Sequence, residues 1–585
     1  MAQFFKIFFA SFLAVIVFSI IALFVLLGWI AGIGSASKPA LGSQGVLYIS
    51  LDQNIAEQEK DNPLASFNAD EQYDMPGLYD VVRLIRYAKT DSTIKGIYLK
   101  CNANGSGMAT SNELRNALLD FKTSKKFIYA YGDVIPQRAY YIASVADKIY
   151  CNPKGGVDWK GFSIQYMFFK QALDKLEIEP QIFYAGKFKS ATEPFRADHM
   201  TDANRLQSGV FLNDLYNEFL ITTAAARHTD TATLHKCADE LLIQSADDAV
   251  TYKLADAAKY DDEVRDEIKA QLNIDKKSKI NFIMMGKYAK AVNYKSGKGS
   301  DNIAVIFAQG DIVDGKGENG QIGGDTYRGL IRSARLDDKI KAIVIRVNSG
   351  GGSAMASENM WRELMLAKKE KPVVLSFGDY AASGGYYMSC GADSIFTQSN
   401  TLTGSIGVFS IVPNMKKFFN NKLGVTFDGV KTSPYGDMTT TSRPLTEMEK
   451  KFFQNDIDSI YHTFLTRVSE GRKINIALVD SIAQGRVWTG TRAIQLGLAD
   501  KIGGLQNAID CAAGMAKLTQ YQVREYPEPQ NWWQSLFGNY KRNAKINAVK
   551  QELGDEGFSI YSSLKNIRQL LGNSQARMPF EISVQ

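Results

Sequence analysis

Cysteine and histidine are scarce in this chain: 585 residues carry five of the first and four of the second. Cys101, Cys151, Cys237, Cys390 and Cys511 lie far apart and form no C-x-x-C pair, so neither a zinc site nor a disulfide framework is indicated. Buried free thiols are the expectation. His199, His228, His235 and His462 form no H-E-x-x-H, which removes the sequence basis for a metalloprotease. A histidine triad stays open, because triad members need not be neighbours along the chain. No metal or cofactor is expected. Charge of one sign is also lacking: Lys+Arg 68 against Asp+Glu 62 gives +6, scattered without a basic run or an aromatic-rich basic stretch. That pattern argues against nucleic acid as a partner.

One long apolar run is present. Ile7 to Ile33 include no charged side chain, and a helix of that length rises roughly 40 Å, enough to cross a hydrocarbon core of ~30 Å with tilt. A secretory apolar region usually spans only ~7 to 15 residues, which favours an uncleaved anchor over a removed signal peptide. Ser35-Ala36-Ser37 resembles a cleavage site and keeps removal open. Lys6 before the run and Lys38 after it leave little basic asymmetry. The expectation is a single-pass anchor with the bulk of the chain outside the cytoplasm.

The rest of the chain is duplicated. Ile85 to Ile149 align without a gap on Ile331 to Ile395, pairing Ile94-Lys95 with Ile340-Lys341, Asn102 with Asn348, Gly132-Asp133 with Gly378-Asp379 and Ala146-Asp147 with Ala392-Asp393. A repeat this long reads as two domains of one fold, as expected for a chain beyond the ~250 to 300 residues at which single cores stop growing. Apolar runs at 46–51, 97–100 and 127–130, and again at 303–308, 342–346 and 373–376, suit buried strands separated by helix-length segments, the pattern of an α/β domain. The expected organisation is an anchor over 1–43, a first repeat with a helical connection over 44–300, a second repeat over 301–525, and a helical tail over 526–585. Trp532-Trp533 in that tail are expected to pack on the domain.

The copies differ where chemistry is at stake. Asp379-Tyr-Ala-Ala-Ser-Gly-Gly-Tyr-Tyr387 carries Ser383; the matching Asp133-Val-Ile-Pro-Gln-Arg-Ala-Tyr-Tyr141 carries Gln137. Small residues around Ser383 would leave its hydroxyl uncovered at a helix start, with the Gly384 N–H facing the same oxygen. An N-cap serine is the plain alternative. Asn348-Ser-Gly-Gly-Gly-Ser353 follows the preceding strand, and consecutive glycines at a helix start can turn N–H groups toward an anion or an oxyanion. This loop matches neither G-x-x-x-x-G-K-[ST] nor G-x-G-x-x-G.

Asn348-Ser-Gly-Gly-Gly-Ser353 with Ala356-Ser357-Glu358, Ala381-Ala-Ser-Gly-Gly-Tyr386 and Leu402-Thr-Gly-Ser-Ile-Gly-Val408 together resemble the signal peptide peptidase A (protease IV) family of membrane-anchored serine–lysine peptidases, in its long two-domain form, over about 44–525. Gly350 departs from the family, which usually has proline there. The resemblance implies tandem Clp-protease/crotonase-like α/β domains behind an N-terminal transmembrane helix. It also implies a homotetramer over a bacterial inner membrane, facing the periplasmic side, and substrates such as cleaved signal peptides and other apolar peptides.

A serine without histidine needs another base, and a neutral lysine can serve. Free lysine titrates near ~10.4, so such a lysine must be buried among apolar groups. Phe183-Tyr-Ala-Gly-Lys-Phe-Lys-Ser-Ala-Thr-Glu-Pro-Phe195 places Lys189 in such surroundings, with Lys187 as a solvated neighbour. Lys431, in Asp428-Gly-Val-Lys-Thr432, is the competitor inside the serine's own repeat. The resemblance assigns the base to Lys189, through its G-x-x-K-S-A-x-E-P-F pattern, and the orientation of the lysine amine to Ser405. Ser383 is then the nucleophile, with Gly351, Gly352 and Gly384 N–H groups receiving the oxyanion. A catalytically silent membrane scaffold and a crotonase-like acyl-CoA enzyme are the competing readings.

Overall fold

A computed structural model describes residues 2–34, 38–53, 55–58, 75–295, 297, 299–318, 320–528, 554 and 574–578. The apolar N-terminal run forms one helix, Ala2–Gly34. Its side chains are described contiguously only from Lys6 to Ile21, and these are exposed. Among the described residues, no helix is long and apolar enough to cross a membrane. Ser35-Ala36-Ser37 and Trp532-Trp533 lie outside the described residues.

Both repeats are built on parallel strands drawn from the apolar runs. In the first, the order is Ala257–Ala258, Lys148–Val157, Phe127–Ile135, Ile94–Lys100, Gly45–Ser50 and Phe282–Met284, every pair parallel. In the second, Leu402–Gly404, Val373–Ala382, Ile340–Ser349, Asn302–Gln309 and Gln522–Tyr526 are parallel, with Val487–Thr489 antiparallel at the edge. Helices cover both faces, which is why the strands are apolar without strict alternation. Ile343, Val344 and Ile345, for example, are all buried.

A third sheet is not visible as a repeat in the sequence. Its order is Gln321–Gly323, Asp311–Val313, Gly351–Ser353, Gln575–Arg577, Val408–Asn414 and Glu179–Ala185. It joins the first repeat to the second through the antiparallel pairing of Glu179–Ala185 with Val408–Asn414, which keeps register over seven residue pairs from Val408↔Ala185 to Asn414↔Glu179. It also corrects the expectation of a helical tail: residues 575–577 are a strand, held between two others, because the sheet offers unsatisfied backbone groups on both sides. The remainder of the tail, residues 526–528, Gly554, Ser574 and Met578 apart, lies outside the described residues.

Polar ties also hold the repeats together. Asp379 of the second repeat caps the first-repeat helix Met108–Lys122, its Oδ1 accepting from Ala109 N–H at 2.8 Å and Thr110 N–H at 3.0 Å. Arg346, 1% exposed, sits on the strand Ile340–Ser349 and reaches two first-repeat carboxylates, Glu57 at 2.8 Å and Glu113 at 2.6 Å. Arg346→Met strips the counter-charge from two buried carboxylates. A loss of about 3 to 5 kcal/mol is expected, read as a lower urea midpoint at unchanged slope.

Candidate active site

Ser383 ends the strand Val373–Ala382 and stands at the N-cap position of the helix Gly384–Ser389. It makes no capping bond; its hydroxyl instead donates to Gly407 O at 3.4 Å. Its backbone lies at φ 53°, ψ −113°, a conformation that costs a non-glycine residue on the order of 1 to 3 kcal/mol and is retained only where the surroundings enforce it. Here the enforcement is local: Ser383 N–H donates to Gly404 O at 2.8 Å and its carbonyl accepts from Tyr387 N–H at 2.7 Å. The turn points Oγ to the first repeat.

Lys189 arrives from that repeat. The strand Glu179–Ala185 carries the chain alongside Val408–Asn414, and a turn at Gly186 brings Lys189 over Ser383. Gly186 has φ +109°, and a Cβ there would lie 2.5 Å from the Gln484 carbonyl carbon, so the close approach of the two loops requires glycine. Lys189 Nζ lies 2.8 Å from Ser383 Oγ, 3.0 Å from Ser405 O and 3.1 Å from Ser405 Oγ, all within hydrogen-bond distance. Its side chain is 1% exposed, and this burial pushes the ammonium well below the ordinary lysine range, with no carboxylate set against it. The nearby acid Glu193 is occupied elsewhere, by Thr201 Oγ1 and by Asn204 Nδ2 at 2.9 Å. Ser405, also left-handed at φ 48°, is fixed by its own N–H donating to Arg486 O at 2.7 Å.

The glycine loop closes the site from the other side. Gly351–Ser353 is a short strand and the helix Ala354–Lys368 starts after it, capped by Ser353 Oγ accepting from Ala356 N–H. Gly351 N–H donates to Ser349 Oγ at 3.1 Å, so in this state it is engaged within the loop. Gly352 pairs with Ala576 of the tail. Met578 N–H donates to Gly350 O at 2.7 Å and Ala354 N–H to Ser574 O at 3.2 Å. The pair midway between them is therefore the closely spaced kind, with Gly352 N–H facing the Ala576 carbonyl. That oxygen lies in the hollow between the two loops: it would be 2.1 Å from a Cβ on Gly351 and 3.0 Å from one on Gly384.

Three parts of the site escaped sequence reasoning. Gln207 braces the lysine loop, donating to Phe188 O at 3.0 Å and Ser190 Oγ at 2.9 Å and accepting from Val487 N–H at 3.1 Å. Gln484-Gly485-Arg486 forms the floor, with Phe188 N–H donating to Gln484 O at 2.7 Å; a lone glycine in a polar turn was its only sequence signal. The tail strand is the third, too short for any period to show. Lys431, by contrast, is not at the site: it is solvent-exposed and ion-paired with Asp437 at 2.9 Å. Lys187 is exposed as expected. In the first repeat Gln137 fills the serine's place structurally, its Oε1 accepting from Lys160 and Gly161 N–H and its Nε2 donating to Gly161 O.

The model of peptidase family S49 matches residues 120–275 and again 365–519, together more than half of the chain and one stretch in each repeat. Protease 4 of Salmonella typhi is 36% identical over 85% of this chain and 82% of its own length. The chain belongs to peptidase family S49. Protease 4 of Haemophilus influenzae is 34% identical over 83% of this chain and 82% of its own, and the chloroplastic serine protease SPPA of Arabidopsis thaliana 32% over 74% and 64%. As an S49 member the chain is a serine-type peptidase with two family repeats on a mixed α/β fold, acting on peptides. Its second S49 match spans Ser383 and Ser405; its first spans Lys189.

Proposed function

We propose that this S49 peptidase is a membrane-anchored endopeptidase in which Lys189 of the first repeat is the general base for Ser383 of the second. The observation that carries the reading is the 2.8 Å contact between Lys189 Nζ and Ser383 Oγ at a lysine whose ammonium burial disfavours. Neutral Lys189 takes the Ser383 proton as Oγ attacks the scissile carbonyl. Gly352 and Gly384 N–H groups receive the oxyanion, with Gly351 joining them once its N–H leaves Ser349 Oγ. The lysine passes its proton to the leaving amine, and water repeats the cycle on the acyl-enzyme. Ser405 holds the amine in line through both its oxygens. No metal or cofactor enters these steps.

Residues 1–43 serve as the anchor, and the resemblance to signal peptide peptidase A supports a bacterial inner-membrane site with the repeats on the periplasmic side, a homotetramer, and cleaved signal peptides and other apolar peptides as substrates. Tandem Clp-protease/crotonase-like domains are the architecture this reading assigns. A silent scaffold has no use for a buried lysine whose ammonium burial disfavours, set beside a strained serine, and an acyl-CoA enzyme has no use for the nucleophile.

A fluorophosphonate labels Ser383 in the wild type, and the label is lost in Lys189→Ala. Lys431→Ala retains activity within about twofold, since an exposed ion pair contributes little. Loss of labelling in Lys431→Ala with Lys189→Ala unaffected contradicts the assignment.

A further inference from the structure

Asn102 and Asn348 hold matched positions in the two repeats, as do Asp133 and Asp379, yet the fold partners them differently. In the first repeat the arrangement is internal: Asn102 Oδ1 accepts from Asp133 N–H at 2.7 Å and its Nδ2 donates to the Asp133 carboxylate at 3.0 Å. In the second, the Asp379 carboxylate turns away from its own asparagine to cap the first-repeat helix Met108–Lys122. Glu57 of the first repeat stands in its place. Its Oε1 accepts from Asn348 Nδ2 at 2.8 Å and its Oε2 from Arg346 Nε at 2.8 Å. Each repeat thus supplies the other with a carboxylate.

The exchange bears on Ser383 through the strand that leads to it. Val347 pairs with Phe377 and Ser349 with Ala381, so Asn348 stands opposite three residues, Gly378, Asp379 and Tyr380. A bulge of this kind re-aims the residues beyond it, and Ser383 lies three positions past Tyr380. The Asn348 side chain supplies pairing that the bulge removes, its Oδ1 accepting from Tyr380 N–H at 3.1 Å. A main-chain N–H can only donate, which fixes the orientation of the amide and leaves its Nδ2 in need of an acceptor. Glu57 is that acceptor. A Cβ on Gly378 would lie 2.6 Å from Glu57 Oε1, so the carboxylate is seated against bare backbone. The segment bearing it is itself fixed, with Ile55 in the first-repeat core and Ala56 O accepting from Leu78 N–H at 2.8 Å. We propose that Glu57 is a positioning residue for the reaction: through Asn348 it sets the bulge that aims Ser383 and the start of the glycine loop. The inference rests on the reading of Ser383 as the nucleophile.

Turnover of a fluorogenic apolar peptide and fluorophosphonate labelling, both on the full chain in detergent, test this. An amide cannot accept from Asn348 and Arg346 together, so Glu57→Gln is expected to lower kcat on the order of 10-fold or more, with KM within about twofold. Labelling slows by the same factor while its rise with pH levels off where it does in wild type, because Lys189 is untouched. Asn348→Ala, which keeps the Arg346–Glu57 pair, falls equally. Combining Glu57→Gln with Asn348→Asp reverses the polarity of the chain: the new amide accepts from Arg346 and donates to the new carboxylate, which still accepts from Tyr380 N–H. That double variant returns to within about threefold of wild type. Glu113→Gln takes away the other carboxylate on Arg346, at 2.6 Å, and leaves the Glu57–Asn348 bond in place; it keeps kcat within about twofold. The proposal is overturned if Glu57→Gln and Asn348→Ala both keep wild-type kcat, if Glu113→Gln loses as much as Glu57→Gln, if the double variant recovers nothing, or if the pH at which labelling levels off moves. Hydrolysis by Ser383→Ala at the wild-type rate would instead sink the nucleophile reading, and this inference with it.

Discussion

Ser383→Ala lowers kcat for an apolar fluorogenic peptide by on the order of 10³-fold or more, Lys189→Ala does so to a similar extent, and the double variant loses little beyond either single one. The reason is that the two groups perform one step. Without the serine there is nothing for the base to activate, and without the base the hydroxyl keeps its proton. A thousandfold loss corresponds to about 4 kcal/mol of transition-state stabilisation, well above what a merely structural contact at 2.8 Å would contribute. Additive losses would mean that the residues act in separate steps. Because they come from different repeats, the result would also explain the duplication: neither half is complete, Gln137 standing where the first repeat would hold a serine.

The second large effect is on stability. Burial lowers the folded-state pKa of Lys189 below the unfolded value near ~10.4. Between the two values the unfolded chain holds a proton that the native chain does not, so this group's contribution to stability rises with pH across that window and stays flat outside it. Measured as a difference, wild type gains on Lys189→Met by up to about 1.4 kcal/mol for each pH unit in the window, whatever constant offset methionine introduces. Paired urea melts from pH 7 to pH 10 check it. A difference independent of pH over that range would show that Lys189 is charged in the fold and unable to act as a base.

The strands and the duplication were legible in the sequence because burial on both faces demands continuous apolar runs, and a gapless repeat exposes its own register. Ser383, Lys189 and Ser405 were legible as positions: small residues flank the first, aromatic ones the second. Their meeting was legible only through the family resemblance, since in the fold it depends on the cross-repeat sheet that pairs Ala185 with Val408. Gln207 and Gln484 went unseen because bracing a loop needs only an amide within 3 Å or so, which leaves no spacing to read. The tail went unread for a related reason. Its strand is three residues long and is stabilised by strands far away in the chain, and local propensity carries little of that.

The central claim is that Lys189 activates Ser383 as a neutral base. The most direct measurement is the rate of Ser383 modification by a fluorophosphonate as a function of pH, in wild type and Lys189→Ala. The account predicts a wild-type rate that climbs about tenfold per pH unit and levels off below the ordinary lysine range, and a rate in Lys189→Ala on the order of 10³-fold lower without that limb. The same limb at the same rate in Lys189→Ala would contradict it.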